Sequence, residues 1–138
     1  MPYVRAFIAG FLSTLVFHQG VLTLLWLSGA SPRVPYDTTP SSPLGVPAVL
    51  SLAFWGGIWG MVIWPFLRNA APGAYWLRAL LIGAVAPSVV ALFIVFPLKG
   101  MAVAGGWDPR IIVGALMLNG AWGLGVALFM RSTARLGS

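Results

Sequence analysis

Four long runs of apolar residues divide the chain, and polar residues gather in the segments between them. The runs cover residues 6–28, 46–67, 79–96 and 111–130, and each is bounded by an arginine or by a Pro/Gly turn. A helix needs about 20 apolar residues to cross the hydrocarbon core of a bilayer. The pattern therefore predicts an all-α membrane protein, with four transmembrane helices in a single transmembrane domain over residues 1–138.

The composition leaves no room for a water-soluble domain beside these spans. Apolar residues make up 59% of the 138 positions and charged residues 7%, whereas a soluble domain carries about 25% charged residues. The chain has no cysteine, which excludes disulfides, thiol catalysis and thiolate metal sites. Its net charge of +6 comes from basic residues scattered at the ends of the runs. That pattern indicates membrane topology and not nucleic-acid binding.

The basic residues predict that both termini lie in the cytoplasm. Four spans put the two termini on one side of the membrane, and cytoplasmic segments carry the excess of lysine and arginine. Five basic residues fall on the side of the termini: Arg5, Arg68, Arg78, Arg131 and Arg135. The other side holds three basic residues and both acidic ones: Arg33, Lys99, Arg110, Asp37 and Asp108.

The three connections between the spans differ in character. Residues 29–45 are rich in proline, serine and threonine, which favours a stiff, extended loop. Residues 97–110 contain several glycines and predict a second irregular loop. The connection over 69–73 is a short Pro-Gly turn, and a short turn predicts that the second and third spans are antiparallel neighbours.

Two pairs of matching blocks indicate an internal duplication. The segment RAFIAG, which begins at Arg5, corresponds to RALLIG, which begins at Arg78. Likewise GIWG, which begins at Gly57, corresponds to GAWG, which begins at Gly120. We therefore predict two helical hairpins, 1–69 and 74–138, in the same orientation, as in transporters built from parallel repeats.

Small residues at four-residue spacing mark faces on which membrane helices can approach closely, because association in lipid relies on close contact and on a few hydrogen bonds. Gly56 and Gly60 have the GxxxG spacing. Bulky tryptophans beside such glycines are typical of dense packing. The predicted packing residues are Gly10, Gly56, Gly57, Gly60, Gly83, Gly120, Gly123, Trp59 and Trp122.

An ionisable residue inside a span is a candidate functional residue, and only His18 qualifies. Gln19, Asn119 and Thr14 are predicted to join it in one polar layer. Three interpretations stay open. The layer fixes helix register by hydrogen bonds, it lines a narrow path for a neutral molecule or an ion, or the imidazole is an axial ligand to haem or to a chlorophyll-type pigment.

The residues for intramembrane catalysis are missing from the sequence. It has no glutamate, and its two aspartates fall in or beside the loops, so paired carboxylates, a Ser/His/Asp arrangement and a multi-ligand metal site have no candidates. We therefore predict no enzyme activity, no metal and, the pigment hypothesis aside, no cofactor. The loop charges are expected to form ion pairs on the outer face: Arg33, Asp37, Lys99, Asp108 and Arg110.

Three segments carry a resemblance to known sequences: GVPAVLSLAFWGG from Gly45, FHQG from Phe17 and NGAWG from Asn119. Together they resemble a group of small, uncharacterised four-helix inner-membrane proteins of bacteria. The resemblance covers most of the chain and implies a multi-pass protein of the bacterial cytoplasmic membrane. It implies no activity and no site.

These observations predict a non-catalytic accessory or interaction subunit that packs in the bilayer against itself or against other membrane-protein subunits. An alternative is a small channel or facilitator with a neutral polar path at His18, Gln19 and Asn119. A third possibility is a haem- or pigment-associated subunit that uses His18.

Overall fold

The computed structural model describes residues 1–42 and 44–134, and it is all-helical, with 78% of residues in helices. Within these residues, four helices are long and apolar enough to cross a membrane. They are α1 (Pro2–Leu27), α2 (Ala48–Leu67), α3 (Pro72–Leu98) and α4 (Pro109–Ala134). The prediction of an all-helical fold with four helices able to span a membrane is confirmed. Arg135, one of the residues used to predict the topology, lies outside the described residues.

Three of the helices are longer than the apolar runs that predicted them. The largest difference is at α3, which begins at Pro72 and not near residue 79. Proline suits the first turn of a helix, where its missing N–H has no intrahelical partner to lose. The added turns carry Tyr75, Trp76 and Arg78. A search for uninterrupted apolar runs leaves these residues out, although they belong to the helix.

Two helices each contain one π-helical turn, at Thr14–His18 in α1 and at Ala91–Val95 in α3. Such turns shift the backbone hydrogen-bond ladder by one residue and are frequent at functional sites. The turn in α1 includes two of the predicted polar residues, Thr14 and His18.

The helices pack as two close hairpins joined along one seam. Helix α1 packs along α2, α3 packs along α4, and the seam runs between α1 and α4. Helices α2 and α3 contact each other only lightly, although a short turn joins them as predicted. The glycine faces explain this difference, because those of α2 and α3 are turned to α1 and α4.

The apolar core lies at the end of the bundle that holds the termini, which we call the terminal end. Its members come from all four helices: Ala6, Ala9, Ile63, Leu67, Tyr75, Ala79, Trp122, Val126, Ala127 and Met130. Arg5 closes this end, since its Nη2 donates to the carbonyl oxygen of Met130 at 2.9 Å. A cation at the C-terminal end of a helix also interacts favourably with the helix dipole.

The opposite end, which we call the loop end, carries the two longer connections. The first, between α1 and α2, contains a small antiparallel pair of strands, β1 (Pro40–Ser41) and β2 (Val46–Pro47). The second, between α3 and α4, contains a tight turn over Val103–Trp107, with left-handed backbone at Ala104, Gly105 and Gly106. Both connections are otherwise irregular, as their sequences predict.

Candidate functional site

A chain of hydrogen bonds ties the first connection to the buried polar residues of α1. The backbone N–H of Tyr36 donates to Oε1 of Gln19 at 2.8 Å. Nε2 of Gln19 lies 3.1 Å from Nδ1 of His18. Gln19 and His18 are 3% and 7% exposed, so the loop caps a polar pair that is otherwise enclosed by the bundle.

These partners determine the tautomer of His18. A backbone N–H can only donate, so the oxygen of the Gln19 amide must face Tyr36 and its NH₂ group must face the imidazole. Nδ1 of His18 is then the acceptor, and the neutral ring carries its proton on Nε2. Protonating Nδ1 would set two donors against each other and break the chain.

Tyr36 makes a second contact, with the π-helical turn itself. Its hydroxyl donates to the carbonyl oxygen of Leu15 at 2.6 Å, and Leu15 lies within Thr14–His18. Tyr36 has a φ of 54°, an uncommon conformation for a residue with a large side chain. The two hydrogen bonds offset the cost of this backbone conformation, which is of order 1 kcal/mol.

Asn119 belongs to a different group. Its Nδ2 donates to Oγ of Ser88 at 2.9 Å, which joins α4 to α3. The structure therefore divides the predicted polar layer in two, with His18 and Gln19 facing the first connection and Asn119 facing Ser88. The physical reason is that each amide has other partners: Gln19 bonds to His18 and to Tyr36, and Asn119 bonds to Ser88.

Thr14 and Trp122 meet at the carbonyl oxygen of Gly10. The Thr14 hydroxyl donates to it at 2.9 Å within α1, and the Trp122 indole N–H donates to it at 3.1 Å from α4. The hydroxyl of Ser13 donates to the Trp122 carbonyl oxygen at 2.6 Å. The bonds of Trp122 and Ser13 join α1 to α4 along the seam.

Glycines form both hairpin interfaces. A Cβ atom at Gly60 would overlap with the carbonyl oxygen of Ala6 and lie 3.1 Å from the Cα of Gly10. In the other hairpin, a Cβ at Gly123 would overlap with the carbonyl oxygen of Ala79. It would lie 3.0 Å from the Cα of Gly83.

The remaining predicted packing residues occupy the same interfaces. Gly56 faces Thr14 and Gly10, and Gly57 lies beneath the ring of Phe7. In the second hairpin, a Cβ at Gly120 would lie 3.2 Å from Leu80 Cδ1. Trp59 is partly buried and packs against the core.

The charged residues of the two connections are held within their own loops. Asp108 caps α4, since its Oδ1 accepts the backbone N–H of Arg110 at 2.9 Å, and it lies 4.0 Å from Arg110 Nε. Asp37 accepts hydrogen bonds from the hydroxyl and the backbone N–H of Thr39. Of the charged residues expected to form ion pairs, the described structure pairs Asp108 with Arg110, and no ion pair among the described residues joins the two connections.

Two cations instead line one recess at the loop end. Arg33 comes from the first connection and Lys99 follows the end of α3, and the apolar side chains of Val95, Phe96 and Met101 complete the recess. Burial lowers the pKa of the Arg33 guanidinium from its ordinary value, and the charge of Asp37 acts in the opposite direction.

Sequence reasoning missed two residues, Tyr36 and Ser88, whose hydrogen bonds join separate parts of the chain. They carry no local signal, because their partners are distant in the sequence. Asp108 is expected in an ion pair, but its N-cap role was missed. That role does have a signal, since Asp followed by Pro at the start of a helix is a typical N-cap pattern.

Comparison of the chain with protein-family models, with curated proteins and with solved structures finds no match.

Proposed function

We propose that the chain is a non-catalytic integral membrane protein that works as an accessory or interaction subunit, in a membrane complex or as a homo-oligomer. The observation that carries this proposal is that the candidate polar residues of the spans make hydrogen bonds inside the bundle. Gln19 bonds to His18, Asn119 to Ser88, and Thr14 to Gly10. Their donors and acceptors hold helices and a loop, which is a structural use.

Helices α2 and α3 offer the surface for such an interaction. In the most apolar window of each of these helices, 28% of the residues are buried, compared with 39% in α1 and in α4. Trp55 on α2 is 57% exposed and Leu81 on α3 is 53% exposed. Helices α2 and α3 therefore keep most of their surface free for lipid or for another subunit.

We also propose that the two hairpins arose by duplication and form a parallel repeat. The support is that Ala6, Gly10 and Gly60 make in one hairpin the contacts that Ala79, Gly83 and Gly123 make in the other. These are the positions that the matching sequence blocks align. The arginines that begin the RAFIAG and RALLIG blocks also act alike, since Arg5 donates to the carbonyl of Met130 and Arg78 to that of Phe66.

We place both termini in the cytoplasm and the chain in the bacterial inner membrane, on the basic residues and on the resemblance described above. The absence of cysteine from the sequence allows a direct test with single cysteines and a membrane-impermeant maleimide. Ser42→Cys should be labelled from the outside, and Asn69→Cys only after the membrane is permeabilised. The reverse pattern, or labelling of both from outside, would contradict the proposed topology.

The function itself is tested by native mass spectrometry of the tagged chain, extracted from its native membrane in mild detergent. We expect particles that contain at least two polypeptides, whether copies of this chain or other subunits. His18→Ala should reduce their yield, because it removes the acceptor of Gln19 and frees the first connection. A preparation that contains only single copies of this chain would contradict the proposal.

The purified protein also tests the two alternatives. If the chain is a facilitator, liposomes that contain the pure protein should pass a solute, and the double variant His18→Ala/Asn119→Ala should abolish the flux. A pigment-binding subunit predicts a coloured preparation. The geometry gives the pigment hypothesis little support, because a metal-ligating histidine normally donates through its second ring nitrogen, whereas Nδ1 of His18 accepts from Gln19.

A further inference from the structure

The recess between Arg33 and Lys99 is a second feature of the loop end, separate from the polar residues inside the bundle. Its lining combines these two cations with three apolar side chains, Val95, Phe96 and Met101. The cations come from different connections, so it is the fold that brings them together, and not their positions in the sequence.

Neither cation of this recess forms an ion pair with a carboxylate of the described residues. Two like charges that face one cavity repel each other, and an anion between them would turn repulsion into attraction. The nearest acidic residue along the chain, Asp37, accepts hydrogen bonds from Thr39, and its charge acts on Arg33 from a distance. Among the described residues, the ion pair within 4.0 Å is Asp108 with Arg110, so neither recess cation has a carboxylate within that distance.

The depth of the recess identifies the kind of anion. Val95 and Phe96 lie in the last turns of α3, which ends at Leu98, and Lys99 follows directly. A helix long enough to span the bilayer ends near the lipid headgroups. In a bilayer we therefore expect the apolar part of the recess at the level of the acyl chains and the two cations at the level of the phosphates.

We propose that Arg33 and Lys99 bind the phosphoryl group of an anionic phospholipid, with Val95, Phe96 and Met101 against the start of its acyl chains. The planar guanidinium suits two phosphate oxygens at once, and the ammonium adds a point charge. A free phosphate ion shares the oxyanion chemistry but would leave the apolar part of the recess unused.

The test is a native mass spectrometry titration of the purified, delipidated full chain with phosphatidylglycerol and with phosphatidylcholine. We expect preferential binding of phosphatidylglycerol. Arg33→Gln and Lys99→Gln should each weaken it about tenfold, which is the effect of losing one charge-assisted hydrogen bond. The matched control is Arg110→Gln, whose 89% exposed side chain lies at the same end beside Asp108, and it should change binding little.

Inorganic phosphate is titrated in parallel to separate the two sources. If it binds with the same dependence on Arg33 and Lys99 and displaces the lipid, the oxyanion site stands and its ligand is free phosphate. If it does not compete, the ligand is the lipid. The charge-preserving variants Arg33→Lys and Lys99→Arg should keep most of the binding, which separates loss of charge from loss of fold. Equal lipid binding by Arg33→Gln/Lys99→Gln and by Arg110→Gln would overturn the proposal.

Discussion

The indole N–H of Trp122 and the carbonyl oxygen of Gly10 are joined by a 3.1 Å hydrogen bond across the seam between α1 and α4. The same oxygen accepts from Thr14, so the glycine carbonyl links its own helix to the facing one. Gly10 also packs closely against α2, since a Cβ at this position would overlap with the carbonyl oxygen of Gly56.

Trp122→Phe should lower the free energy of unfolding by about 1–3 kcal/mol, because it removes a hydrogen bond and leaves a small cavity in the core. The effect is moderate because Thr14 continues to donate to the Gly10 oxygen, which therefore keeps a partner. Reversible unfolding in mixed detergent micelles measures it. Trp55→Phe is the matched control, since Trp55 is 57% exposed. An equal loss in both variants would show that the indole N–H contributes nothing specific.

Gly60→Ala and Gly123→Ala should each destabilise the bundle by about 1–3 kcal/mol, because the added methyl group meets backbone that cannot move away easily. The two losses should be similar if the hairpins are equivalent. The matched control is Gly114→Ala, since a Cβ there meets no atom of the described residues within 4 Å. That variant should be neutral or slightly more stable, because alanine favours the helix. A neutral result at Gly60 or Gly123 would contradict the close backbone approach.

Tyr36→Phe should loosen the first connection and expose the π-helical turn. It removes the donor to the Leu15 carbonyl, a loss of about 1 kcal/mol, which corresponds to about fivefold faster local opening. Hydrogen exchange over residues 14–19 and 33–39 measures this directly. Tyr3→Phe, at an exposed tyrosine of the terminal end, should leave the exchange of both segments unchanged. Unaltered exchange in Tyr36→Phe would show that the hydroxyl does not hold the loop.

The stability of the first connection should also depend on pH. The side-chain and backbone hydrogen bonds from Thr39 hold the pKa of Asp37 below its ordinary value of 3.8. A carboxyl group whose pKa is lowered by folding stabilises the folded loop at pH values above the unfolded pKa. That contribution is lost as the pH falls from about 3.8 through the folded pKa. The loop should therefore open progressively in this range.

NMR titration of Asp37 measures this effect. Thr39→Val should raise the pKa of Asp37 toward 3.8, because it removes the hydroxyl donor. Asp37→Asn should abolish the acid dependence of hydrogen exchange in the loop. A pKa that is the same in Thr39→Val and in the unaltered chain would contradict the assigned hydrogen bond.

The parts of the fold that the sequence predicts are those that depend on local composition. The apolar runs locate four spans, because the need for a spanning helix to be long and uncharged acts on each segment separately. The short turn near Pro72 joins α2 and α3, but it does not determine how closely they pack. That depends on the faces of Gly60 and Gly83, which are turned toward α1 and α4.

The polar contacts depend on tertiary structure and are harder to predict. His18 and Asn119 are candidates because polar groups in a span need partners. The partner of Asn119 is Ser88, on another helix, and the loop that reaches Gln19 does so through the backbone of Tyr36. Neither partner is close in the sequence, and a π-helical turn leaves no recognisable pattern of residue types.

The seam between α1 and α4 has a consequence for biosynthesis. During synthesis α1 meets its glycine-lined partner α2 early, but Ser13 and Gly10 must wait for Trp122, more than a hundred residues later. Until then, the face of α1 that packs against α4 has no partner within this hairpin. The seam can therefore close only after α4 has been made.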